Sequence, residues 1–193
     1  MSSHGCKCSL RYPEVIEKSK LTNIKLFGVD NYSKSKLRAE KCKQKFLEIY
    51  TEYVATGIKP KHGVSKTELE FYKYLISKFE KDDIIYDYMS DLYPFKCDFY
   101  IKSLDLYIEL NSLWTHGGHP FNKNDNKDSA KLNLWKSKQN KYYDIAVNVW
   151  SVSDVRKRNV AKRNNLNYIE IFESDIKRII SDFESRLSGF TVS

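Results

Sequence analysis

From Ser35 to Ala55 the apolar residues Cys42, Phe46, Tyr50 and Val54 recur at every fourth position, and Lys41, Lys43 and Lys45 fall off that stripe. This is the pattern of one face of an amphipathic helix. Gly57 and Pro60 end it, and 57–63 reads as a linker between two modules. Residues 1–34 are polar with weak periodicity and close on a turn-rich segment, Thr22 to Asn31, expected at a surface. Beyond the linker, Ser65 and Glu68 have capping-box spacing, and a helix continues through Leu69, Tyr72, Leu75, Ile76 and Phe79. Strand-like runs follow at 84–88, 95–101 and 104–110. A His/Gly/Pro/Asn-rich loop over 112–126 precedes a helical stretch at 128–143, then an apolar run at 145–150 that reads as a further strand. A basic helix (154–164), a strand (168–172) and a closing helix (174–187) complete the chain. This order predicts an α/β fold over 63–193, a mixed sheet flanked by helices, preceded over 1–62 by a small, basic, mostly helical module.

Composition narrows the class. A hydrophobic fraction of 41% with 14 Tyr and 10 Phe suits a folded chain. No run approaches the roughly 18 apolar residues of a membrane span. The N-terminus lacks the apolar core and cleavage site of a secretion signal, so a cytoplasmic, non-secreted protein is expected. Four cysteines in 193 residues do not form a disulfide framework, and reduced thiols are the default. The net charge of +8 is uneven: 1–62 hold 13 Lys/Arg against 6 Asp/Glu, and the remainder is almost balanced. A basic arm of this kind suits a polyanion such as double-stranded DNA, although a solvated basic helix would look the same. His4, Cys6, Cys8 and Cys42 could hold zinc, but Cys-x-Cys is tighter than the usual paired spacing and Cys42 lies on an apolar stripe, which favours ordinary thiols.

Strand alternation gives the polar residues of the sheet a side. Phe95, Cys97, Phe99 and Ile101 share one face, leaving Asp98 on the other; Leu106, Ile108 and Leu110 oppose Tyr107, Glu109 and Asn111. Adjacent antiparallel strands can bring Asp98 and Glu109 together, and close carboxylates attract a hard divalent cation, Mg²⁺ before Zn²⁺. The alternative is a solvated acidic face. Past the strand, His116 and His119 flank Gly117 and Gly118. A histidine near a metal can move a proton near neutral pH, and the glycines let backbone approach a sugar-phosphate chain. The loop could also be a plain turn. Zinc at His116 and His119 lacks third and fourth ligands.

The run Cys97-Asp98-Phe99-Tyr100-Ile101, with Tyr107-Ile108-Glu109-Leu110-Asn111 and Trp114-Thr115-His116-Gly117-Gly118-His119-Pro120-Phe121, resembles phage-encoded endonucleases of the EDxHD homing type. These are relatives of the very-short-patch mismatch-repair endonucleases within the PD-(D/E)XK superfamily. The resemblance covers 65–187 and includes Ser65-Lys66-x-Glu68, the run from Trp150 through Asp154 with Arg158, and 161–170. It implies a restriction-endonuclease-like fold, with Asp98 as metal-binding aspartate and His116, 18 positions on, as catalytic histidine. It further implies Glu68 as the acid on the first helix, Asp154 as the second, supporting aspartate, and the Leu110 carbonyl as a metal ligand. Two departures stand out. The superfamily's acid-x-Lys strand reads Glu109-Leu110-Asn111 here, without the lysine, and the repair enzyme has no acid at the position of Glu109 and a histidine at that of Asn111.

Each residue also has a plainer reading. Glu68 fits a capping box, Asp154 fits a helix N-cap, His119 before Pro120 fits a loop-shaping residue, and Trp114 fits packing. Lys25, Asn31, Lys34 and Arg38 lie in or beside a short element resembling one that precedes nuclease domains in phage proteins. With Arg156, Lys157, Arg158, Lys162 and Arg163 of the later basic helix, they are candidate phosphate contacts. The expected function is Mg²⁺-dependent phosphodiester hydrolysis in DNA by a phage homing endonuclease acting in a bacterial cytoplasm, as a homodimer if both strands are cut together. The alternatives are a mismatch- or structure-specific repair nuclease and a catalytically inactive DNA-binding module.

Overall fold

The computed structural model describes residues 12–56 and 64–190. Its elements are α1 (Pro13–Phe27), α2 (Lys36–Thr56), α3 (Lys66–Lys78), β1 (Ile84–Tyr88), β2 (Cys97–Ile101), β3 (Leu106–Leu110), α4 (Asn126–Ser137), α5 (Lys141–Asn148), α6 (Asp154–Arg163), β4 (Asn167–Ile171) and α7 (Ile176–Leu187). The chain divides into two compact units, Met1–Lys45 and Phe46–Ser193. The division falls inside α2, ahead of the expected linker at 57–63, which lies outside the described residues.

In the first unit, α1 replaces the aperiodic stretch expected there. Pro13 at its start, Glu14 in its first turn, Lys25 in its last and Gly28 at φ 71° are sound helix-end signals. None of its residues is buried, so no apolar stripe marks it. The turn after it is held by Asn31, whose side chain accepts from the Ser33 amide at 2.9 Å.

The second unit is built on one four-stranded sheet in the order β1-β2-β3-β4, with the first two pairings antiparallel and β3–β4 parallel. Leu69, Phe71 and Leu75 of α3, Ile179 and Phe183 of α7, and Phe46 and Tyr53 of α2 join Phe99, Ile101, Leu106, Ile108 and Ile169 in the main core. A second cluster gathers Tyr93, Cys97, Tyr107 and Ala161 of α6. The fold is therefore mixed α/β with a helix-flanked mixed sheet. β3 is buried at all five positions, and the expected alternation of Leu106, Ile108 and Leu110 against Tyr107 is present. Among the described residues no helix is long and apolar enough to cross a membrane.

Three local expectations need correction. Val54 is 59% exposed and Tyr53 is buried in its place; seven residues make nearly two full turns from Phe46, whereas a strict spacing of four drifts off a 3.6-residue helix. Cys97 packs with Tyr93 and Tyr107 rather than with Phe99 and Ile101. Beside it on β1, Asp87 at φ 56° kinks the strand end, and Tyr88 stacks on Tyr100 at 4.1 Å. The run 145–150 is not a strand: α5 passes into a π-helical turn, Val149–Ser153, that leads into α6. Ala146 and Trp150, one turn apart, are its fully buried residues, and a short apolar run cannot distinguish this helix from a strand.

Candidate active site

The β2–β3 ladder runs from Ile101↔Leu106 to Phe99↔Ile108. One residue further, the Asp98 carboxylate takes up the next amide: Oδ2 accepts from Leu110 N–H at 2.7 Å. Oδ1 has no hydrogen bond among the described residues. Loss of hydration, with the charges of Glu109 and Glu68, holds the Asp98 carboxyl well above its ordinary value. The contact Leu110 makes here is through its amide.

Glu109 is almost fully buried. Oε1 accepts from the Tyr93 hydroxyl and Oε2 from the Lys157 ammonium, each at 2.7 Å. Burial raises its carboxyl, and Lys157 and Tyr93 offset only part of that. Burial alone would lower the ammonium of Lys157, but Glu109 and Asp98 outweigh it and hold Lys157 protonated. A lysine thus stands beside the strand acid although β3 carries none, and it comes from α6, 48 residues along the chain. Glu68 has two attachments. It completes the capping box with Ser65, and its Oε2 accepts from the Tyr86 hydroxyl at 2.8 Å.

Helix α6 ties these groups to the histidine loop. Asp154, Lys157, Arg158 and Ala161 follow the spacing of one helix face. The π turn before them, a feature frequent at functional sites, has the Asp154 amide donating to Val149 O, five residues back. Asp154 is 2% exposed, and its Oδ2 lies 2.8 Å from Nδ1 of His116. With the carboxylate accepting, Nδ1 carries the proton and Nε2 presents its lone pair. Arg158 grips Glu170 through Nε and Nη2 at 2.5 and 3.0 Å, and Asn111 donates to the same carboxylate at 3.3 Å.

The loop is shaped by Trp150. Gly117, at φ 74°, lies so close to this indole that a Cβ would stand 2.1 Å from Cε2. The close approach made possible by Gly117 is therefore to Trp150, where the sequence suggested a sugar-phosphate chain. The Trp150 indole N–H donates to His119 O at 2.7 Å. The Lys131 ammonium donates to Gly117 O at 2.7 Å and lies over the Trp150 ring at 5.1 Å. His119 Nε2 meets Asp128 Oδ1 at 2.7 Å, and Asp128 Oδ2 accepts from Asn122 N–H at 2.8 Å. Trp114, half exposed, packs edge-on against Trp135 and Tyr143.

Asp98, Glu109, Glu68 and Lys157 thus converge at one end of the sheet, and His116 and Asp154 are joined to them through α6. His119 belongs to a separate pair. Of the expected phosphate contacts, Lys157 and Arg158 are engaged with Glu109 and Glu170. Arg156, Lys162 and Arg163 are exposed, and their side chains make no hydrogen bond or ion pair with described residues. In the first unit Lys25 is exposed, Lys34 pairs with Asp30 at 3.0 Å, Asn31 caps its turn and Arg38 is buried. Tyr86, Tyr93, Asp128 and Lys131 had no sequence signal beyond being polar near strands or loops. Among the described residues no three His, Cys, Asp or Glu side chains are arranged to hold an ion. His4, Cys6 and Cys8 lie outside the described residues, and Cys42 is a free, partly buried thiol. Comparison of the chain with family models, with curated proteins and with solved structures found no match.

Proposed function

We propose that the chain is a Mg²⁺-dependent DNA endonuclease of the EDxHD homing type, with a restriction-endonuclease-like fold, hydrolysing phosphodiester bonds of double-stranded DNA. The observation that carries this reading is the His116–Asp154 pair, mounted on the helix that also places Lys157 against Glu109 beside Asp98. The donor set suits a hard cation. It is all oxygen, and burial first, then the charges of Glu109 and Glu68, raise Asp98. Mg²⁺ commonly uses one or two carboxylates with waters and substrate phosphates, a site sparser than a protein cage. Asp98, with Oδ1 uncommitted, is the residue that would hold it; Glu109, both oxygens already accepting, acts by charge. Bound there, Mg²⁺ would supply positive charge where negative charge develops on the phosphate.

The chain's own residues do the rest. Asp154 fixes the ring of His116, so that Nε2 accepts a proton from water or, once protonated, returns it to a leaving oxygen, a step of about a hundred- to ten-thousand-fold. Tyr93 and Lys157 keep Glu109 in place, and the Leu110 amide orients Asp98. One such site per chain cuts one strand at a time, so double-strand cleavage takes a homodimer or sequential nicks.

The test is conversion of supercoiled plasmid with Mg²⁺ or EDTA. Wild-type protein is expected to cut only with Mg²⁺, and Asp98→Asn and His116→Ala are expected to lose cutting while keeping a cooperative thermal transition. A folded Asp98→Asn protein that cuts at the wild-type rate overturns the assignment.

A further inference from the structure

A cavity of about 290 Å³ lies on the outer side of Lys157, lined by Phe95, Lys96, Ser153, Arg156 and Lys157. It sits at the small end of ligand clefts, roughly 300–1,000 Å³. Its lining contains three cations and no carboxylate. The Arg156 guanidinium makes no hydrogen bond or ion pair with a described residue and has its N–H donors to offer. The Ser153 hydroxyl accepts a long bond from Asn148 at 3.4 Å and keeps its own proton. Of the three ammonium protons on Lys157, one serves Glu109 at 2.7 Å and a second reaches Lys96 O at 3.4 Å, which leaves a third. Lys96, its side chain largely exposed, pairs directly with Asp87 at 3.2 Å, a tie weakened by solvent that a better anion can displace. Phe95 adds an apolar ring to the lining, and apolar surroundings strengthen what charged donors do.

We infer that this cavity binds a phosphate of the nucleic-acid backbone other than the one being cut. The inference rests on the nuclease reading for the identity of the polyanion. Placement explains what such a phosphate would do. Ser153 precedes Asp154, the residue holding His116, and Lys157 links the cavity to Glu109. A phosphate seated here therefore sets the register of the strand against the histidine, and carries no base sequence of its own.

The experiment is fluorescence anisotropy of a labelled DNA duplex with the full chain in EDTA, between about 50 and 200 mM salt. Arg156→Ala is expected to weaken binding several-fold whatever the sequence, and to reduce the slope of log affinity against log salt by about one. Ser153→Asp, which puts a negative charge in the cavity, is expected to weaken binding further. Lys102→Ala, in the exposed turn between β2 and β3, is expected to change nothing. Unchanged affinity and slope in both folded cavity variants overturn the inference, as does a wild-type chain that binds no duplex at about 50 mM salt. If the cavity variants behave as expected but Asp98→Asn cuts like wild type, the cavity stands and the Asp98 assignment falls. If Asp98→Asn is inactive and the cavity variants bind normally, the reverse holds.

Discussion

Two histidines three residues apart on one loop each meet a buried aspartate at hydrogen-bond distance, His116 with Asp154 at 2.8 Å and His119 with Asp128 at 2.7 Å. Their surroundings differ in every other respect. His116 bonds through Nδ1, its side chain is 20% exposed, and its partner is 38 residues away on the helix that also grips Glu109 and Glu170. His119 bonds through Nε2, is 50% exposed, and its partner is nine residues away and also ties down the Asn122 amide. The first pair connects the loop to the carboxylate end of the sheet. The second ties the loop to the first turn of α4, which follows it directly. A histidine–aspartate pair is thus not a site by virtue of its chemistry; what its aspartate is attached to decides its use.

The largest expected effect separates the pairs directly. The Asn amide stands near the place of Nδ1 and the Gln amide near that of Nε2, so His116→Asn and His119→Gln each keep a donor to the aspartate while abolishing proton transfer. His116→Asn is expected to slow plasmid cleavage by about a hundred- to ten-thousand-fold with little change in Tm. His119→Gln is expected to stay within a few-fold of wild type. Equal losses in the two variants would break the distinction.

Next in size is the contrast between the two glycines that separate the histidines. Both have positive φ, 74° at Gly117 and 81° at Gly118, so alanine at either costs roughly 1–2 kcal/mol of backbone strain. Only at Gly117 does the added Cβ run into Trp150, while at Gly118 it meets nothing within 4 Å. Gly117→Ala is therefore expected to cost about 1–3 kcal/mol more in denaturant unfolding, and to reduce cleavage by displacing His116. A Gly117→Ala protein as stable as Gly118→Ala would mean that the indole does not hold the loop.

The same contrast explains what could be read along the chain. Capping spacing at Ser65 and alternation in β3 are local rules, and both are present in the fold. Helix α1 follows its end signals but buries no residue, so a reading based on apolar period passes over it. Asp98, Glu109, His116 and Asp154 could be named, yet the tie of Glu109 to Lys157 spans 48 positions and that of His116 to Asp154 spans 38, and neither is a pattern within a window. Lys157 could be named as a candidate phosphate contact but not as the partner of Glu109, because a helix face shows its inward side only once the sheet beneath it is known. Gly117 read as a place for substrate because a glycine's need for space does not say which neighbour fills it.

The smallest expected effect turns on two aspartates shifted in opposite directions. At Asp128, loss of hydration pushes the carboxyl up, but the Asn122 amide and His119 outweigh it and hold the group below its ordinary value of 3.8. The stability this contributes is fully present above pH 3.8 and is lost as pH falls through the lower folded value. Asp98 is raised, by burial first and then by Glu109 and Glu68. A raised carboxyl favours the fold while protonated, below its unfolded value, and that advantage is lost as pH rises through the folded value. In EDTA at pH 7, Asp128→Asn is therefore expected to lower Tm, and Asp98→Asn to raise it. Below pH 3.8 both differences should shrink. An added divalent cation should raise the Tm of wild type more than that of Asp98→Asn, because a ligand stabilises only the state that binds it. A wild-type chain destabilised relative to Asp128→Asn at pH 7 would remove the stabilising role from the second pair; a wild-type chain more stable than Asp98→Asn in EDTA would mean that burial and the neighbouring charges of Glu109 and Glu68 do not hold the Asp98 carboxyl up.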